Sequence, residues 1–380
     1  MTNSRAFPPR EAARLTSSAA AAALAVFPTA RVVLRGDSTL RGHLIEEYDA
    51  LCRQMSVDGE PPLLLVPALP SAGRVTRGGI HFLISNGRTV SLDQTEYSND
   101  GQFAYSSSNL AQWSEERSGG RFRSSEAKHI DLEQIRGPKG PESVARSLEE
   151  VWREGQPAIV APDAETDEDL ETIAAGLRQV ERNSVPVITR CAPAFAGVLA
   201  GSTATRLEPA PSAESGVLIL CGSYVPNTTE QLADLDATFP NTRIVADPSS
   251  LLSDRSSGEI ARIQTEANRL IETKRLAVIA TPRKKAGWLT DVNGQTQLAD
   301  ALARTVAGTS ADVLITKGGV TSATGISVGM GAAWARVEGP VLPGVSIWRV
   351  PEGRCVLVVP GNIGNSSLLS DLVKLVLKCG

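Results

Sequence analysis

The chain has 380 residues, of which 42% are hydrophobic and 21% charged, and its formal net charge is −4. That length predicts two domains rather than one core, the composition excludes disorder as the default state, and the acidic balance speaks against a nucleic-acid binder. Cys52, Cys191, Cys221, Cys355 and Cys379 lie far apart with no Cys-x-x-Cys pair, and His43, His81 and His129 lack metal-ligand spacing, so neither a disulfide framework nor a protein-held metal is expected, and a reduced cytoplasmic setting fits.

In chain order, Arg5, Arg10 and Arg14 precede an apolar run over 19–27, loosely like a secretion signal. Its alanine content, Glu11, and its passage into the strand-like Arg31-Val32-Val33-Leu34 favour a helix packed on a sheet. No stretch is long and apolar enough to predict a membrane span. Buried strands are expected at 32–34, 63–66, 158–161 and 185–188, with helices at 142–152 and 167–180 among them. The alternation predicts parallel strands covered by helices. Residues 73–121 depart from it and read as a hairpin insertion plus loop. Residues 208–216, rich in proline and small polar residues, read as a linker. A second series follows at 217–221, 243–246, 276–280 and 313–316. Three closely spaced strands at 332–337, 345–350 and 355–359 and an amphipathic helix over 366–378 complete the chain. The fold class expected is α/β, with two Rossmann-like three-layer domains and mostly parallel sheets.

The common signatures are missing. There is no Gly-x-x-x-x-Gly-Lys-Ser/Thr loop and no Gly-x-Ser-x-Gly elbow, and tryptophan ends Gly329-Met330-Gly331-Ala332-Ala333-Trp334 where the dinucleotide fingerprint needs glycine. The candidates are therefore loops at strand ends, where open α/β sheets bind ligands. In the loop from Arg35 to His43, Ser38, Thr39 and backbone amides suit an anion and Arg41 suits a carboxylate. Asp37 suits a substrate hydroxyl, as proton acceptor or hydrogen-bond partner. An ordinary capped loop with a surface arginine is the alternative. The loop from Val66 to Arg74 offers a second cation, or a plain proline turn. Cys221-Gly222-Ser223 with Thr228 and Gln231, the stretch 317–322, and Pro360-Gly361-Asn362-Ile363-Gly364 each place small residues where amides can approach phosphate. Any one is weak, but three in one domain point to a shared nucleotide crevice.

Taken in order, these segments resemble the four-carbon acid sugar kinase family, which phosphorylates tetronates and 3-oxo-tetronates with ATP. The likeness is carried by Asp-Ser-Thr-Leu-Arg-Gly at 37–42, Pro-Ala-Leu-Pro-x-x-Gly-Arg at 67–74 and Asp-Ala-x-Thr-Asp-Glu-Asp-Leu at 163–170. Further likeness lies in Gly-Ser at 222–223, Gly-Gly-x-Thr-Ser at 318–322, Pro-Gly-Val at 343–345 and Gly-Asn-x-Gly at 361–364. The resemblance implies a sugar-acid-binding domain over 1–206 and a nucleotide-binding domain over 215–380. It implies that Asp37, Ser38, Thr39, Arg41 and Arg74 bind the acid, with Asp37 the catalytic residue. It implies further that Ser223, Gly318, Gly319, Val320, Thr321, Ser322, Gly361, Asn362 and Gly364 hold ATP, whose phosphates Mg²⁺ would bridge. Family members open with a strand and an Asp-Asp-x-Thr-Gly motif, whereas this chain opens at Thr2-Asn3-Ser4-Arg5, which implies an N-terminally truncated member. A bare sheet edge there would invite a homodimer contact. His43 stands for asparagine, Val225 for serine, Val320 for glutamate and Ser367 for aspartate. These departures leave a second reading, a catalytically impaired sugar-acid or nucleotide binding protein derived from such a kinase. A nicotinamide-dependent dehydrogenase shares the fold class but lacks its fingerprint.

Overall fold

Uninterrupted aliphatic runs form the central strands, because a parallel strand is covered on both faces. The computed structural model describes residues 4–378 apart from 56, 58, 86, 202–206, 285–291, 352 and 362. It divides into two units, Met1–Thr203 and Ala204–Gly380.

The first unit runs α1 (Pro9–Val26), β1 (Leu34–Arg35), α2 (Ile45–Met55), β2 (Leu63–Val66), β3 (Arg74–Arg77), β4 (Ile80–Ser85), β5 (Arg88–Ser91) and α3 (Leu110–Arg117). It continues through β6 (Lys128–Ile130), α4 (Leu132–Arg136), α5 (Gly140–Glu154), β7 (Ile159–Pro162), α6 (Asp167–Arg182), β8 (Ile188–Cys191) and α7 (Pro193–Leu199). Its main sheet has the order β1-β8-β2-β7-β6, with every pairing parallel. Strand alternation divides the core. Leu64 and Val66 join the layer that includes Val144, Leu148 and Leu177. Leu63 and Leu65 join the opposite layer, with Leu44, Tyr48 and Trp113.

Three expectations need correction here. The alanine-rich helix packs chiefly on α2 rather than on the sheet. It buries only Ala12, Thr16 and Ala20, small residues that let two helices approach closely. The strand expected at 185–188 is Ile188–Cys191, because Pro186 has no N–H for the ladder and the polar pair Thr189 and Arg190 is admitted to the core. The insertion holds three antiparallel strands, β3-β4-β5, rather than two. Its first turn, at Gly78 and Gly79 (φ 59° and 71°), suits a tight hairpin. Both amides donate to the Asp163 carboxylate, at 2.7 and 2.9 Å.

The second unit runs β9 (Val217–Cys221), α8 (Pro226–Thr238), β10 (Arg243–Val245), α9 (Pro248–Leu251), α10 (Ser256–Lys274), β11 (Leu276–Ala280) and α11 (Val292–Arg304). It ends with β12 (Val313–Lys317), α12 (Gly319–Thr324), β13 (Arg336–Leu342), β14 (Val345–Arg349), β15 (Cys355–Val359) and α13 (Leu368–Leu377). The sheet order is β10-β11-β9-β12-β15-β14-β13. It is parallel through β15, and β14 and β13 are antiparallel. The strand expected at 332–337 lies instead at Arg336–Leu342. It crosses Gly339 and Pro340, which an edge strand with register shifts tolerates. From β9 the chain crosses to β10 on one side, and from β11 it crosses to β12 on the other. The switch in winding thus falls between β9 and β12, the place in such sheets where ligands bind.

Candidate functional site

In the first unit the carboxyl ends of β1, β8 and β2 border a small cleft whose lining includes Asp37, Leu65, Arg190 and Cys191. The Asp37 loop over it is held by its own side chains. Asp37 Oδ1 accepts from the Thr39 amide at 3.1 Å. Asp37 Oδ2 accepts from Arg41 Nε at 3.0 Å and pairs with Nη2 at 2.7 Å. Arg5 pairs with the same oxygen. Burial alone would raise the Asp37 pKa, but Arg41 and Arg5 outweigh it and hold this carboxyl well below the usual range. Asp37 is thus a fixed anion and a poor proton acceptor. The Arg41 guanidinium also donates to Thr39 Oγ1 at 2.9 Å and to Asp100 at 3.3 Å. Ser38 and Thr39 are buried, and Leu40 takes a left-handed conformation at φ 63°.

The insertion supports this loop from outside. His81 Nε2 lies 2.9 Å from the Ser38 carbonyl and its Nδ1 lies 2.9 Å from Thr76 Oγ1. One ring nitrogen therefore donates to the carbonyl and the other accepts from the hydroxyl. Burial lowers the His81 pKa to about 4, so the ring is neutral at physiological pH. The Tyr105 hydroxyl donates to the Thr39 carbonyl at 3.2 Å. Arg190, buried and paired with Glu47 at 2.6 Å, donates to the His43 carbonyl at 3.0 Å. Arg74 donates to the Ala72 carbonyl at 2.6 Å. Its buried Nε has no partner among the described residues, a costly state for a cation's donor. Tyr97 connects the two predicted cations. Arg41 stands 5.2 Å from its ring centroid. Burial raises its hydroxyl pKa against the opposing pull of Arg74 and Arg41.

The 163–170 motif does different work. Asp163 clamps the hairpin turn, and Asp169 closes a capping box with Thr166 while taking both arms of Arg136 at 2.9 Å. It shapes the frame rather than the cleft.

In the second unit the three glycine loops converge. A Cβ built on Gly361 would stand 3.5 Å from Ser223 Oγ and 3.8 Å from the Gly318 Cα, and one on Gly222 would meet Thr321 Oγ1 at 2.9 Å. Thr228 Oγ1 lies 3.2 Å from Ser223 Oγ. Asn227 donates to the Gly364 carbonyl at 3.1 Å, and Gln231 Nε2 to those of Ile363 and Asn365 at 3.1 and 2.8 Å. Ser322 is committed within its own loop, at 2.8 Å from both Thr316 Oγ1 and the Gly318 carbonyl. Gly319 is exposed and Val320 half-buried. Asn362 lies outside the described residues. Two cations that the sequence reading left unassigned border the same loops. Lys317 Nζ donates to the Pro360 and Ile363 carbonyls, both at 3.0 Å. Arg283 Nη1 donates to the Ser223 carbonyl at 2.8 Å. The signal for Lys317 was present, since an ionisable residue ending the strand Val-Leu-Ile-Thr-Lys is rarely there for packing.

Comparison with known proteins follows this division. A sugar-binding N-terminal domain model matches residues 1–199 and a nucleotide-binding C-terminal domain model residues 218–369. The chain is 29% identical over 272 residues to the D-erythronate kinase of Heliobacterium modesticaldum, a match covering 70% of this chain and 56% of that protein. It is 24% identical to the D-threonate kinase of Salmonella typhimurium, covering 97% of this chain and 86% of that one. A solved structure from Salmonella typhimurium LT2 has a TM-score of 0.68 at 19% identity, covering 97% of this chain and 86% of its own. One from Haemophilus influenzae reaches 0.61 at 18%, covering 99% and 88%. These two establish the α/β fold. With both domain models matched in order along its length, the chain belongs to the four-carbon acid sugar kinase family.

Proposed function

We propose that this protein transfers the γ-phosphoryl group of ATP to a hydroxyl of a four-carbon sugar acid, a tetronate or 3-oxo-tetronate. The observation that carries the reading is buried Arg74, whose Nε has no partner among the described residues, set beside Tyr97 with Arg41, in a unit whose sequence matches a sugar-binding domain. Arg74 would take the substrate carboxylate, with Arg41 beside it. Asp37, held anionic, would accept a hydrogen bond from a substrate hydroxyl and orient it. Phosphoryl transfer through a loose transition state asks little of a proton acceptor and much of positioning, which suits a carboxylate that resists protonation. Ser223, Gly318–Ser322 and Gly361–Gly364 would receive ATP. The convergence of Gly318 and Gly361 on Ser223 leaves backbone where a side chain would otherwise fill the space.

Among the described residues no group of three or more His, Cys, Asp or Glu gathers as a metal cage. Mg²⁺ would therefore be bound largely through the nucleotide phosphates, and no residue of the chain is assigned to it. The units Met1–Thr203 and Ala204–Gly380 correspond on this reading to the acid-binding and ATP-binding halves. The test is a coupled ADP-release assay over a panel of tetronates and 3-oxo-tetronates. ADP release dependent on one of them supports the kinase. Val225 and Val320, in loops that receive phosphates on this reading, favour a second one, a binding protein without turnover. Thermal stabilisation by a tetronate or nucleotide with no ADP release would select it.

A further inference from the structure

Two cations of the second unit donate to carbonyls of the glycine loops, Lys317 at the end of β12 and Arg283 after β11. Neither takes part in an ion pair among the described residues. Lys317 is the more unusual, because it is fully buried. Burying an ammonium is expensive unless it is paired or the site has a use for the charge. Its partners are two backbone carbonyls, those of Pro360 and Ile363. No acidic residue stands in the first turn of the α12 helix that follows it. Among the described residues, the side chains that share the carbonyls of this turn with Lys317 are uncharged. α8 contributes Gln231, which shares the Ile363 carbonyl, and Thr228, which faces the Gly361 carbonyl at 3.4 Å. β9 contributes the Cys221 thiol, which burial pushes up to about 11. Arg283, on the Ser223 carbonyl, adds a second positive charge.

This arrangement does two things. Lys317, with Gln231, Asn227 and Thr228, holds the carbonyls of Pro360, Gly361, Ile363, Gly364 and Asn365 and so sets the pose of Gly361 against Ser223 and Gly318. It also leaves, against the 360–363 carbonyls, a positive charge with no ion-pair partner among the described residues. We infer that Lys317 is a positioning residue of the nucleotide site, a buried cation that fixes the 360–365 turn and supplies the charge that holds the polyphosphate of the nucleotide. This rests on the reading of the second unit as the ATP-binding half.

The geometry has a titratable consequence. Burial lowers the Lys317 pKa to about 8, so the charge disappears in a range where the nucleotide phosphates are already fully ionised and Cys221 is still protonated. The experiment is calorimetric titration of the full chain with Mg-ADP from about pH 6.5 to about pH 9.5, for the wild type, Lys317→Met and Lys317→Arg. Wild-type affinity should fall as pH rises through about 8. Lys317→Met should bind about 10-fold more weakly near neutral pH and lose that dependence. Lys317→Arg keeps a charge that does not titrate, and its affinity should stay level across the range. Wild-type affinity and pH profile in Lys317→Met would overturn the inference while leaving the ATP site standing. If Lys317→Met does not fold, judged by circular dichroism, the arginine variant decides, and a wild-type fall in its affinity above about pH 8 overturns the inference. A wild type that binds no nucleotide at any pH overturns both the inference and the reading beneath it.

Discussion

At the scale of single residues, the Asp37 loop is organised around charge that cannot easily change. Asp37 is locked as an anion by Arg41 and Arg5, so substrate turnover should show no acid limb from this carboxyl near neutral pH. Arg74 is the residue whose removal should be most selective. Arg74→Met keeps the stem that packs in the core and removes the unpartnered Nε. Steady-state kinetics should show KM for the acid rising roughly 10- to 100-fold with KM for ATP unchanged. An equal rise in both would remove Arg74 from substrate binding. His81 reports on stability instead. An unfolded histidine takes a proton below about pH 6.5, whereas buried His81 waits until about pH 4. Its folded pKa is lowered, so its contribution is complete above the unfolded value. It is lost as pH falls from about 6.5 to about 4, by as much as about 3 kcal/mol. Thermal melts across that window should show a decline that His81→Gln reduces. An unchanged slope in the variant would place the acid sensitivity elsewhere.

At the scale of elements, the loops matter through how they are pinned. Gly318 sits at φ 106°, with its would-be Cβ 3.5 Å from the Ser223 Cβ. Gly318→Ala should cost about 1–2 kcal/mol in stability through backbone strain. It should also weaken ADP binding in calorimetric titration; binding at wild-type strength would mean that the loop tolerates a side chain where phosphate is placed. The central strands were legible in the chain because Leu63–Val66, Val217–Cys221 and Leu276–Ala280 are apolar without a break. β8 was misplaced because Thr189 and Arg190 look like surface residues until Glu47, far away in sequence, is seen to neutralise the arginine. β13 was misplaced because Gly339 and Pro340 read as a turn, and only its position at the sheet edge accommodates them. The loops that carry the candidate sites were legible as sequence. The supports of the Asp37 loop were not, since His81 and Tyr105 act by hydrogen bonds to carbonyls, and a carbonyl leaves no mark in the amino-acid code.

At the scale of the whole molecule, each ligand should leave its trace in its own half. Hydrogen exchange on the full chain should show a tetronate slowing exchange around 37–42 and 74–81. Mg-ADP should slow it around 222–225, 318–322 and 361–365. Protection of the first unit by ADP alone, with none in the second, would reverse the assignment of the halves. The β3–β5 insertion looks like an ornament on the first unit, attached where loops are usually free to vary. Yet one imidazole ties its strands to the Ser38 carbonyl, and the Asp163 clamp fixes its turn. The hairpin and the Asp37 loop must therefore be inherited, grafted or redesigned together. Trimming the hairpin to simplify the protein would discard part of the Asp37 loop's scaffold, and, if that loop holds the substrate as proposed, altering the hairpin's length offers a route to retuning selectivity without touching a residue that meets the ligand.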